Sequence, residues 1–185
     1  MLAVAYDQAP LTTIDEELAE GMAANRPDWA EWLARPFSWI GGGIGMWPLS
    51  IAVVVFLAAT RLPLQALWAA LVLAGIHVVV TPYLKEAFDR PRPDEPSAVP
   101  LPSSDAMPSG HASGSAATFG LIALLATERW PERARLLWAA AAVLALASGA
   151  SRLVLGVHHT TDVLAGWCLG VAWLAAALLV RPTRD

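Results

Sequence analysis

The residues best equipped for chemistry lie in the stretch Ser151-Arg152-Leu153-Val154-Leu155-Gly156-Val157-His158-His159-Thr160-Thr161-Asp162. His158 and Asp162 stand four residues apart. A backbone that is helical from about His158 would put them on one face, one turn apart. A carboxylate so placed accepts an imidazole N–H, fixes the tautomer and frees the other ring nitrogen to attack an electrophile. Arg152 offers a planar donor fork suited to phosphate oxygens. The combination predicts a histidine nucleophile aimed at a phosphoryl group.

Two other polar stretches could join it. In Lys85-Glu86-Ala87-Phe88-Asp89-Arg90-Pro91-Arg92-Pro93 the prolines end any helix before them, and by itself this reads as a membrane-edge loop. Met107-Pro108-Ser109-Gly110-His111 has the residues of a helix start. Its free N–H groups would make an anion site, with Gly110 admitting a phosphate close to the backbone and His111 at the rim. The same residues fit a capped helix with a Gly110-x-x-x-Gly114 packing face, and the motif alone does not choose.

These stretches are carried by apolar segments. The 185 residues are 56% hydrophobic and 15% charged, where a soluble domain carries about 25% charged residues. Mean hydropathy is +0.50, and the apolar residues fall in long uncharged runs, which marks an all-helical membrane protein. The runs are 36–60, 62–84, 106–127, 136–151 and 163–180, giving five expected spans. The fourth is short and is expected to extend back over Arg133 and Arg135, whose side chains can snorkel. Residues 1–35 form a separate N-terminal segment with seven acidic groups and two arginines, ahead of a transmembrane domain over 36–185. Thr13-x-x-Glu16 reads as a capping box, and Trp29 and Trp32 recur at near-helical spacing beyond Pro27. The segment is either an interfacial amphipathic helix or a soluble tail, and the tryptophans favour the first.

Several features point away from other functions. The net charge of −4 gives no electrostatic case for nucleic acid. The single Cys168 excludes an intrachain disulfide and a cysteine-rich metal site, and reads as a packing residue of the last span. Gly41-Gly42-Gly43-Ile44-Gly45 lacks the Lys-Ser/Thr of a phosphate loop and reads as close helix packing or a flexible entry to the first span. His77, alone in an apolar run, reads as a satisfied packing residue. Residues 1–9 lack the basic start of a cleavable signal. Counting spans puts residues 85–107 and 151–162 on one side of the membrane. Arg61, Arg129, Arg133, Arg135, Arg181 and Arg184 fall on the other; setting aside the three site cations Lys85, Arg92 and Arg152, the first side keeps Arg26, Arg35 and Arg90. Six against three makes the arginine-rich side cytoplasmic and faces the polar site outward.

Taken together, the motifs resemble the type 2 phosphatidic acid phosphatase (PAP2) superfamily of membrane lipid phosphatases, whose site is related to that of vanadium haloperoxidases. The family pattern Lys-x6-Arg-Pro fits Lys85 through Arg92-Pro93, and Pro-Ser-Gly-His fits 108–111. Ser-Arg-x5-His-x3-Asp fits Ser151-Arg152, His158 and Asp162 without departure. The likeness covers roughly 60–180. Arg90-Pro91 is a second Arg-Pro with the wrong spacing from Lys85, and the family spacing selects His158 over His159.

The resemblance implies that His158 forms a phosphohistidine with Asp162 orienting it. Lys85, Arg92, Arg152, Ser109 and Gly110 would hold the phosphate, and His111 would act as general acid. It implies no cofactor or metal. The substrate is expected to be a lipid phosphate or diphosphate in the bilayer, first a polyprenyl carrier such as undecaprenyl diphosphate. Phosphatidylglycerol phosphate, phosphatidate or a polyprenyl-phosphosugar would use the same residues. A haloperoxidase shares the oxyanion site but is usually built on a soluble scaffold. A non-catalytic lipid-binding or transport protein would need the cations but not the His158–Asp162 pair.

Overall fold

The computed structural model describes residues 9–183, with side chains from residue 12 onward. The first eight residues of the segment read above as lacking a signal lie outside the described residues, as does Arg184. Every regular element described is helical: α1 (Ala9–Ala24), α2 (Asp28–Gly41), α3 (Gly43–Ala59), α4 (Pro63–Ala74), α5 (Thr81–Phe88), α6 (Gly110–Arg129), α7 (Ala134–Val154) and α8 (Thr160–Leu178). A π-helical stretch, Gly75–Val80, joins α4 to α5, and a 3-10 turn, Pro131–Arg133, leads into α7.

Four helical stretches are long and apolar enough to cross a membrane: Asp28–Ala59, Pro63–Phe88, Pro131–Val154 and Thr160–Leu178. The fourth expected span does extend back through Arg135. The third, α6, is of another kind. Its 20 residues would span about 30 Å. They include the small polar run Ser113-Gly114-Ser115-Ala116-Ala117-Thr118, all buried. The helix occupies the interior, and its neighbours carry the lipid-facing side chains. Ile51, Phe56, Leu71, Val143, Leu164 and Val171 are exposed on that outer surface. Cys168 is exposed as well, so it belongs to the outer face of α8 and not to its packing, contrary to the sequence expectation.

Small residues and polar bridges hold the bundle together, since apolar burial alone gains little between helices already in lipid. A Cβ on Gly166 would lie 2.7 Å from the Ser109 carbonyl oxygen, and one on Gly170 2.4 Å from that of Ser113, so α8 rests against the α6 backbone. Three tryptophans donate indole N–H groups to helix carbonyls: Trp68 to Ala177 (3.0 Å), Trp167 to Ala145 (3.0 Å) and Trp173 to Val72 (2.8 Å). His77 is a packing residue, as expected, in hydrogen-bond contact with Thr118 (3.2 Å) and tilted against Trp47. Gly114 meets its ring, whereas Gly110 has room around it, so only half of that Gly-x-x-x-Gly pair packs tightly.

At the N-terminal side, α1 is already helical at Ala9, the first described residue, so Thr13 lies inside the helix and is not its cap. Pro27, in extended conformation, separates α1 from α2. Helix α2 presents Trp29, Trp32 and Trp39 outward and buries Ala34, Ser38 and Gly41. It runs unbroken through residues 35 and 36, and the interruption comes instead at Gly42. There α2 meets α7 so closely that a Cβ on Gly41 would fall 1.6 Å from Ser148 Oγ. The glycine run thus serves helix packing, one of the two roles expected of it.

The loop between α5 and α6 and the turn between α7 and α8 lie together at one end. Ala98 N–H donates to the Leu155 carbonyl (3.0 Å), and Arg26 and Arg35 donate to the Pro96 (2.8 Å) and Ala98 (3.0 Å) carbonyls. At the other end Arg181 pairs with Glu128 and hydrogen-bonds Gln65. Because the α6 backbone cannot yield at Ser113 without moving the helix, Gly170→Val is expected to cost about 1–3 kcal/mol. Thermal melts in detergent should show a midpoint lower by several degrees. Gly21→Ala, on α1 where an added Cβ would meet nothing within 4 Å among the described residues, should leave the midpoint unchanged or slightly raised.

Candidate active site

The turn between α7 and α8 carries the central pair. α7 ends at Val154, and Gly156, with φ +70°, reverses the chain in a conformation that disfavours side chains. His158 follows in irregular backbone, and α8 starts at Thr160 with His159 as its N-cap. The expectation of helical backbone from His158 is therefore not met. The contact forms all the same, because the bend before the helix carries the imidazole back over the first turn. His158 Nδ1 lies 3.3 Å from Asp162 Oδ2, and both side chains are buried.

The chemistry of the partners fixes the tautomer. A carboxylate only accepts, so Nδ1 carries the proton. Arg92 Nη1 lies 3.3 Å from Nε2 and only donates, so Nε2 presents its lone pair. Burial pushes the imidazole down to about 4, against the upward pull of Asp162, and the ring is uncharged at neutral pH. His159 has a different part. Its backbone N–H donates to the same Asp162 Oδ2 at 2.8 Å, so the carboxylate also closes the start of α8. Its ring Nδ1 is farther from Oδ2, at 3.6 Å.

The cations expected to hold phosphate converge here, each through a neutral acceptor. Lys85 Nζ donates to the carbonyls of Asp105 and Ala106, the latter at 3.3 Å. Arg92 donates to the carbonyls of Ser104 (2.9 Å) and Val157 (2.6 Å). Arg152 donates to Ser38 Oγ. Among the described residues no carboxylate lies within ion-pair distance of Lys85, Arg92 or Arg152. Ser109 is the N-cap of α6. Its N–H donates to the Asp162 carbonyl (2.9 Å), and its hydroxyl is buried without a hydrogen-bond partner among the described residues. Gly110 opens the helix with space beside it, the nearest atom to a built Cβ being Thr81 Cγ2 at 3.8 Å. His111 lies within electrostatic reach of Arg152, His158 and Arg92. Its Nε2 is 3.1 Å from the Ser38 carbonyl, which only accepts, so that nitrogen holds the proton. All the residues selected from the motifs are thus gathered at one end of the bundle.

Three participants escaped the sequence reading. Ser38 of α2 contacts both Arg152 and His111, yet nothing distinguishes it within an apolar run. Arg90, set aside as a misspaced Arg-Pro, is fully buried and bridges Asp162 Oδ1 to Asp15 Oδ2. Asp15 sits on α1, and no local pattern links it to residues 75 and 146 positions away. The signal for Arg90 was the repeated Arg-Pro itself, one arginine facing the carboxylate and the next facing the imidazole.

Comparison with known proteins agrees with this fold. Phosphatidylglycerophosphatase B of Bacillus subtilis (strain 168) is 28% identical over 177 residues, covering 92% of this chain and 85% of that protein. The crystal structure of a transmembrane PAP2-type phosphatidylglycerolphosphate phosphatase from Bacillus subtilis superposes with a TM-score of 0.87 at 27% identity, covering 97% of this chain and 90% of that one. The family model of the PAP2 superfamily matches residues 63–185, which include all three motifs. The chain belongs to the PAP2 superfamily and is a multi-pass membrane lipid phosphatase.

Proposed function

We propose that the enzyme removes the terminal phosphate of phosphatidylglycerol phosphate through a phosphohistidine on His158. The observation that carries the chemistry is the buried His158–Asp162 pair, with Nε2 unprotonated and set among three cations, none of them ion-paired to a carboxylate among the described residues. The substrate comes from the two similar proteins, whose names specify this lipid. That likeness moves phosphatidylglycerol phosphate ahead of undecaprenyl diphosphate, the substrate expected from the sequence.

In the first step His158 Nε2 attacks phosphorus in line and a P–N bond forms. The bond from phosphorus to the lipid oxygen breaks, and that oxygen takes a proton from the imidazolium form of His111, leaving the neutral ring. Asp162 stabilises the positive charge that develops on the imidazole. Lys85, Arg92 and Arg152 balance the charge spread over the non-bridging oxygens, and the Ser109 hydroxyl and Gly110 N–H add hydrogen bonds. Water then attacks phosphorus, His111 takes its proton, and inorganic phosphate leaves with His158 restored. The three cations supply the charge compensation that Mg²⁺ gives in other phosphoryl transfers, so no metal is called for. The arginine count faces this end of the bundle away from the cytoplasm.

Phosphate release in detergent with EDTA, from phosphatidylglycerol phosphate, phosphatidate, undecaprenyl diphosphate and farnesyl diphosphate, tests the assignment. Phosphatidylglycerol phosphate should lead by at least about tenfold in kcat/KM, a difference of about 1.4 kcal/mol. A faster polyprenyl diphosphate would reassign the substrate, and loss of release in EDTA would overturn the metal-free mechanism. His158→Ala should abolish turnover while His159→Ala keeps at least about a tenth, its backbone bond to Asp162 being intact. Equal losses would displace His158 as nucleophile. Asp162→Asn should lower kcat by about 10⁴-fold, as removal of an orienting carboxylate does in a catalytic triad. A change below about tenfold would remove Asp162 from that role. For sidedness, a cysteine at exposed Ser104 in a Cys168→Ala background should react with an impermeant maleimide on intact cells. Labelling only after lysis would reverse the orientation.

A further inference from the structure

Helix α1 is held to the bundle in an unusual way. Among its residues with described side chains, Asp15 alone is buried, at 2% exposure, while Ile14, Leu18 and Met22 remain exposed. An amphipathic helix normally docks by burying its apolar stripe. Here the deepest contact is a carboxylate, and burying one is expensive unless it is paired and hydrogen-bonded. Asp15 is satisfied by Arg90 Nη2 (2.7 Å), by the Thr161 N–H (3.1 Å) and by the Thr161 hydroxyl. Arg90, with no exposed surface, donates in turn through Nη1 to Asp162 Oδ1 and to Thr161 Oγ1 (2.7 Å). A continuous chain of hydrogen bonds therefore runs from α1 through Arg90 to the carboxylate that holds His158.

The charges along this chain suit the reaction. Arg90 alone would neutralise Asp162 and weaken its hold on an imidazolium. Asp15 supplies a second carboxylate to the same guanidinium, so Asp15, Arg90 and Asp162 together keep one net negative charge beside a neutral His158. When Nε2 bonds to phosphorus and the ring becomes cationic, that charge is balanced within a buried site. There such pairing is worth far more than in water. The two carboxylate oxygens of Asp162 divide the task. Oδ1 faces Arg90, and Oδ2 faces the His158 ring and the His159 N–H.

We propose that Asp15 and Arg90 are positioning residues for the phosphoryl transfer, acting through Asp162, so that the N-terminal helix completes the active site. This rests on the phosphohistidine reading of His158. Neither residue belongs to the three motifs, and Asp15 lies outside the residues that the family model matches.

The experiment is a double-mutant cycle on kcat and KM, with variants compared as monodisperse full-length protein in detergent. Asp15→Asn, which keeps the shape, is expected to lower kcat about 10- to 100-fold with KM changed less than about twofold. In an Asp162→Asn background the same change should cost less than about twofold more, because its route to the imidazole is already cut. Arg90→Lys, which retains the charge, should keep more activity than Arg90→Gln. Wild-type kcat in Asp15→Asn would overturn the proposal, as would an equal loss in both backgrounds, the mark of a merely structural contact.

Binding of orthovanadate, a phosphate analogue that bonds to a histidine nitrogen, gives a second readout that needs no turnover. Asp15→Asn should weaken it about tenfold or more, and unchanged affinity would count against the relay. A wild-type protein that neither releases phosphate nor binds vanadate would defeat the phosphohistidine reading, and the relay with it. An active wild type with an unaffected Asp15→Asn would defeat the relay alone.

Discussion

The site depends on what Asp162 can accept. Its Oδ2 takes the His158 ring and the His159 N–H, its Oδ1 takes Arg90, and its main-chain carbonyl takes the Ser109 N–H. One residue in the first turn of α8 thereby ties the second and third motifs to each other and to Arg90, which lies between Lys85 and Arg92. It fixes the His158 tautomer, closes the α8 N-terminus and anchors the start of α6. A carboxylate that accepts from three such donors can stay charged in a buried place, which a less well-paired one could not. Removing it would disturb orientation, helix capping and the α6–α8 junction together.

The bundle supplies the setting. Four apolar stretches face lipid, and α6, lined with serine, alanine and glycine, runs inside them. Close backbone approach at Gly166 and Gly170 sets the height of α8 against α6, and so the position of Asp162 relative to Ser109. Hydroxyls buried along α6 find partners across helices, as Ser113 Oγ does with Thr81 Oγ1 at 3.0 Å. Spacing set by glycine contact leaves little slack, and phosphoryl transfer benefits from that precision.

What the sequence made legible was local or strongly patterned. The His158–Asp162 spacing, the helix start at Ser109 and the long apolar runs each carry their meaning within a few residues. The start of α8 was misplaced by two residues, because a histidine with extended backbone serves as its N-cap and the pairing survives by a bend. The boundary of α1 was missed because Thr13-x-x-Glu16 imitates a cap inside a helix that has already begun. Ser38 and Asp15 were invisible for a different reason. Their partners are brought near only by tertiary packing, and a serine in an apolar run or one acid among seven carries no address. Arg90 was visible but read against the wrong partner, since spacing from Lys85 says nothing about a carboxylate 72 residues later.

The pairing of the cations separates their roles more sharply than sequence does. Arg90 is locked between carboxylates, a full-charge arrangement that an incoming anion would have to break at high cost. Lys85, Arg92 and Arg152 are instead held by carbonyls and a hydroxyl. Such acceptors are strong enough to fix a long side chain, and weak enough to yield to a phosphate, whose charge-assisted bonds are about twice as strong as neutral ones. On the proposed reading, a phosphate exchanges neutral partners for itself without displacing an ion-paired carboxylate. Ser38 gives the exchange a direction. By holding Arg152 through its hydroxyl and His111 through its carbonyl, it places a cation and the proposed proton donor together beside α2.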